Sequence, residues 1–112
     1  MNIDGSSRLV LKNNQAWAFK ISILAHSTTN IGQTAQFTRV GTIFRKGSIE
    51  TTTLEGAVQT VGTDIINSGL TGVAVAITAD IANGSLKVAV TGLAAISIMW
   101  QAKVELIEIE KY

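Results

Sequence analysis

The side chains from which this chain could build chemistry are few. It carries one histidine, His26, no cysteine, and a scatter of carboxylates. The absence of cysteine removes disulfides and thiolate metal sites. General acid–base work needs a base within hydrogen-bond reach of a partner that orients it. His26 falls on the polar parity of an alternating stretch and has no carboxylate near it in sequence. It reads as a surface or loop-supporting histidine. The carboxylates Glu50, Glu55, Asp64, Asp80, Glu105, Glu108 and Glu110 could in principle supply a hydrolase pair. Glu105, however, alternates with Lys103 and Gln101, which is the pattern of a solvated strand face. Asp80 stands three residues before Asn83-Gly84, where aspartate stabilises a turn. There is no G-x-S-x-G, no H-E-x-x-H and no P-loop. The expectation is a non-catalytic chain with no cofactor and no metal site.

Two further groups bear on binding. Trp17 and Trp100 could stack on sugar rings, but both lie within unbroken alternating apolar sets, so they are expected in the core. The segment Ser27 to Gln33 is polar and rich in hydroxyl and amide groups. These donate and accept hydrogen bonds as a glycan requires, which makes Ser27, Thr28, Thr29, Asn30 and Gln33 the candidate contact residues.

The elements that position these groups are strands. Alternation with period two dominates. A short strand is expected over Arg8 to Lys12, then a turn at Lys12-Asn13-Asn14-Gln15. A long strand follows over Ala16 to Ser27, with Trp17, Phe19, Ile21, Ile23 and Ala25 on one face and Leu24 as the exception on the other. From Thr34 to Lys46 the apolar parity changes near Gly41, which suggests a β-bulge. The stretch Ile49 to Asp64 promises only weak strands, at Thr51-Thr52-Thr53 and Ala57 to Val61. Val73 to Ala79 and Leu86 to Val90 form a hairpin in which Asn83-Gly84 supplies the positive φ angles of a tight turn. The last strand runs from Ala95 to about Ile109, and the changed parity of Ile107 and Ile109 points to a second bulge or an edge contact. A helix over Leu93 to Met99 is the weaker alternative there, because no cap is evident.

These seven to eight strands predict an all-β, antiparallel β-sandwich, jelly-roll-like, forming one domain over residues 1–112. The composition agrees. There is no proline, glycine is frequent, and the formal charge is +1 with 15% charged residues. No basic patch that would track nucleic acid stands out, so no nucleic-acid partner is expected. No stretch approaches the ~20 apolar residues of a membrane span, so no membrane insertion is expected. The polar start, Met1 to Arg8, carries no apolar signal core, and export by a signal peptide is not indicated. Alanine on the supposedly solvated parity, at Ala16, Ala18, Ala74, Ala76 and Ala89, suggests that this face is covered by another subunit.

Several segments, taken in order, resemble the last domain of bacteriophage tailspike and tail-fibre proteins. They are Ile3-Asp4-Gly5-Ser6-Ser7-Arg8-Leu9, Ala16-Trp17-Ala18-Phe19-Lys20, and Phe37 with Gly41-Thr42-Ile43-Phe44-Arg45. The hairpin Ala79 to Val88, then Val90-Thr91-Gly92, and the closing Trp100 to Leu106 continue the pattern, which covers nearly the whole chain. A departure falls at Ala25-His26-Ser27, where the family often carries a basic residue. The resemblance implies a C-terminal β-sandwich that forms a homotrimer at the distal end of a fibre and recognises host cell-surface polysaccharide. It would act in the virion and be produced in the host cytoplasm. A free-standing carbohydrate-binding module serving a polysaccharide-degrading enzyme is the alternative, and a capsule-degrading enzyme fragment is a third.

Overall fold

The computed structural model describes Ile3 and residues 5–110. Strand β1 spans Ser6–Val10, β2 Gln15–Ser27, β3 Thr34–Arg45, β4 Thr53–Leu54, β5 Gln59–Thr60, β6 Ile65–Ile66, β7 Ala74–Asp80, β8 Ser85–Thr91 and β9 Ile98–Glu110. They form an antiparallel two-sheet sandwich. The smaller sheet has the order β1-β8-β7. In the larger one β2 lies between β3 and β9, and β4, β5 and β6 all pair with the far edge of β3. These three two-residue strands raise the number past the seven or eight expected. The long strands give the molecule its shape, because 13 residues at ~3.4 Å each reach about 44 Å. The domain measures 50 × 26 × 19 Å.

The alternation of β2 is realised as expected. Trp17, Phe19, Ile21, Ile23 and Ala25 are buried, and they meet Ala35, Phe37 and Ile43 of β3 and Trp100 and Ala102 of β9. Ile77, Leu86 and Val88 close the core from the smaller sheet. Both tryptophans are core residues, and Trp100 stacks on Phe37 with ring centroids 6.3 Å apart.

Neither expected bulge exists. The register of β2 with β3 runs unbroken from Gln15↔Arg45 to His26↔Thr34, and with β9 from Gln15↔Glu110 to Ser27↔Ile98. The irregular parity of β3 has a different cause. Gly41 stands opposite Phe19, and a Cβ on Gly41 would come within 2.6 Å of the Phe19 ring, so the ring occupies the place of the missing side chain. Arg39, on the same inward parity, reaches out to Asp64 instead of filling the core. Ile107 and Ile109 lie on the outer face, each 71% exposed, with no kink to turn them inward.

Other expectations shift more locally. The first strand is placed at Ser6–Val10 and the last begins at Ile98. Residues 93–97 form a loop, not a helix, with Ala95 in the left-handed region at φ 63°. The turn before β2 forms with Asn14 at φ 62°. The β7–β8 connection is a four-residue loop from Ile81 to Gly84, because Asp80 pairs with Ser85. Only Gly84 there has positive φ, so Asn83-Gly84 is not a two-residue turn. Asp80 fulfils its turn role: its carboxylate accepts from the Ala82 amide at 3.2 Å and the Asn83 side chain at 2.7 Å. Arg45 ties this end together, donating to Leu11 O at 2.6 Å and Asn13 Oδ1 at 2.7 Å beneath Gly84.

Candidate functional site

The segment Ser27 to Gln33 joins β2 to β3 at one end of the long sheet, where it meets two other loops. The Thr28 N–H donates to Ser97 O at 2.8 Å, and the Ser97 N–H donates to Thr29 Oγ1 at 2.9 Å, binding it to the 92–97 loop. The Asn67 N–H donates to Thr34 O at 2.9 Å, bringing in the 67–72 loop. Gly69 leaves room for the Gln33 carboxamide, which a Cβ there would push aside.

The five predicted contact residues play unequal parts. Ser27 is fully buried; its Oγ accepts the Asn30 amide at 2.9 Å, so it shapes the loop from within. Thr28, Thr29 and Asn30 are exposed. The Thr28 and Thr29 hydroxyls are nevertheless engaged with Ser97. Gln33 is half-buried, and its Oε1 is enclosed without a hydrogen-bond partner. His26 supports the same loop, its Nε2 accepting the Gly32 amide at 3.1 Å. The tip residue is apolar: Ile31 is 78% exposed.

One property of this end was not read from the sequence. Residues 21–38, 65–79 and 88–102 contain no Asp, Glu, Lys or Arg, and His26 is their single ionisable side chain. Residues 21–38, 65–66 and 98–102 meet through the pairing of β2, β3, β6 and β9, whereas β7 runs on to Asp80 and faces Lys87 of β8 toward the other end. The boundary is marked by Arg39 and Asp64, which neutralise each other through two hydrogen bonds of 2.7 and 2.9 Å. The hydrogen bond from Arg39 holds the Asp64 carboxyl below the ordinary carboxylate range, against the opposing pull of burial. The Arg39 guanidinium also lies 5.6 Å from the Phe37 ring centroid. On the outer face of this half is a shallow hollow of about 430 Å³ around Leu24, which is flanked across the strands by Gln36 and Gln101, with Lys103 at its rim. An apolar floor between two carboxamides offers both a surface for C–H groups and polar partners for hydroxyls.

The charged residues gather toward the other half. A wider groove of about 750 Å³ runs over Ala18, Lys20, Val40 and Ile107, walled by the loop from Glu55 to Gln59. Glu105 faces Lys20 across the strands and lies 3.4 Å from Lys103. At the opposite sheet, Arg8 donates to Asp80 at 2.7 Å. The Asp80 carboxyl is lowered mainly by the Asn83 side chain and then by Arg8. Among the described residues, no three His, Asp or Glu side chains come together to hold a metal ion. Among the described residues, no helix is long and apolar enough to cross a membrane. No family model, curated protein or solved structure matches this chain.

Proposed function

We propose that this chain is a non-catalytic structural and recognition module of a phage tail fibre or tailspike, associating as a homotrimer and presenting its uncharged end to a neutral surface polysaccharide. The observation that carries the reading is the pairing of charge-free stretches of β2, β3, β6 and β9 at one end, where the 28–33 loop bonds the 92–97 loop and Asn67 bonds Thr34 at the start of β3. Depletion of charge with retention of hydroxyl, amide and apolar groups suits a partner that is itself uncharged. The Leu24 hollow with Gln36 and Gln101, and the exposed loop residues Thr28, Thr29 and Asn30, are the groups offered to it. Oligomerisation is supported by the outer face of the long sheet. Leu24 and Met99 lie exposed at one end of that face, and Ile107 and Ile109 at the other. The number three rests on the resemblance to fibre-tip domains. A monomeric carbohydrate-binding module would offer an aromatic platform, and both tryptophans are instead buried.

Two measurements test the reading. Light scattering should give three times the chain mass of 11.8 kDa, and a monomer at micromolar concentration would remove the fibre module. Glycan arrays should show a preference for neutral over acidic glycans, lost on Gln36→Ala/Gln101→Ala. An identical signal from wild type and variant would remove the recognition role.

A further inference from the structure

The His26 imidazole touches the recognition loop at a point where its protonation state decides the contact. Its Nε2 accepts the Gly32 N–H at 3.1 Å. An imidazole nitrogen accepts only when it carries no proton, so this bond requires the neutral ring with its proton on Nδ1. On protonation both ring nitrogens become donors, and N–H would face N–H. We propose that His26 is a pH-operated latch: the neutral ring holds the Ile31–Gly32 tip against the sheet, and acidification releases it.

The surroundings favour such a switch. The cross-strand neighbours of His26 are Thr34 on β3 and Met99 on β9, neither of them charged. The loops packed at this end, residues 28–33, 67–72 and 92–97, contain no ionisable side chain; the Ile3 N–H also donates to Trp100 O here, and Asp4, the next residue in sequence, lies outside the described residues. Among the described residues, the nearest charge along the outer face is Lys103, opposite Ser22, and Arg39 is already held by Asp64. No carboxylate among the described residues stands ready to accept the new imidazolium proton. Its formation thus removes the Gly32 contact without a compensating ion pair. The base of the loop would remain, because Ser27 N–H donates to Gln33 O, Ser27 Oγ holds Asn30, and Thr28 and Thr29 hold Ser97. Release is therefore confined to the tip that carries Ile31, and it brings a positive charge to loops that contain none. As regulation of a binding end, the latch rests on the recognition reading; the hydrogen bond and its loss do not.

The test is NMR on the intact chain, with no glycan present. His26 ring shifts report tautomer and protonation between about pH 8 and pH 5, and hydrogen exchange gives protection factors for Gly32 and Asn30 over the same range. The Nδ1-protonated tautomer is expected at high pH. Gly32 protection should fall about fivefold as the ring protonates, the size of one ordinary hydrogen bond. Asn30, held by Ser27, should keep its protection. In His26→Ala, Gly32 should be poorly protected at every pH. Unchanged Gly32 protection across the His26 titration, the opposite tautomer, or a ring that stays neutral throughout would each overturn the latch. A failure of glycan binding would leave these readouts intact and would count only against the recognition role.

Discussion

Gly41→Ala separates two opposed effects whose sum has a definite sign here. At most strand positions with negative φ, replacing glycine by alanine stabilises a protein by ~0.4–1 kcal/mol, because the unfolded chain loses freedom. Gly41 has ordinary backbone, but its new Cβ would lie 2.6, 3.1 and 3.3 Å from three atoms of the Phe19 ring. That ring is buried in the core and cannot swing into solvent. Overpacking of this kind costs ~1–3 kcal/mol, so the variant should be less stable by ~1–2 kcal/mol. A double-mutant cycle isolates the cause. In the Phe19→Leu background the ring is gone, and Gly41→Ala should become neutral or stabilising, giving a coupling energy of ~1 kcal/mol or more. Denaturant midpoints of the four proteins supply the cycle. A stabilised single variant, or the same cost in both backgrounds, would refute the account of Gly41 as the seat of the Phe19 ring.

Three further outcomes follow from the packing and the charges. Trp17→Ala should cost ~3–5 kcal/mol in denaturant melts, since its indole is buried in the core. Ala95→Gly should stabilise by ~0.5–1 kcal/mol, because alanine at φ 63° carries a left-handed penalty that glycine avoids; an unchanged melting temperature would contradict it. Asp64 has a lowered folded pKa, so its contribution is present above the unfolded carboxylate pKa and is lost as pH falls through the folded value. Asp64→Asn should therefore lower stability at about pH 6 and flatten its acid limb toward about pH 3, measured by urea midpoints.

Much of the fold was legible because β2 is paired along both edges and filled on one face. Its odd residues must be apolar and its even ones need not be, and the sequence says so from Trp17 to Ala25. β3 misled because two of its inward positions carry no core side chain: Gly41 is filled from the neighbouring strand and Arg39 leaves for Asp64. Ile107 and Ile109 misled because exposed isoleucines imitate a change of parity. The three pieces of the uncharged end stand far apart in the chain, and an absence of charge draws no attention until the fold joins them. Gln101 reads from the sequence only as part of a solvated face and Gln36 does not stand out, since each faces Leu24 only through the sheet.

The edge of β3 is fastened at three separate places. β4 pairs at Ile43 and Phe44, β5 at Arg39 and Val40, and β6 at Ala35 and Gln36. Between them the chain leaves the sheet, with Gly56 at φ 74° and Gly62 at φ 69°. A continuous edge strand would transmit any inserted residue along its whole register. Here each fastening sets its own alignment, and an insertion at 56–58 or 62–63 is absorbed before the next one. Closing a somewhat longer loop adds little entropy cost. These two intervals are thus the places where descendants of this sequence can change length and surface chemistry while the strands beneath keep their alignment.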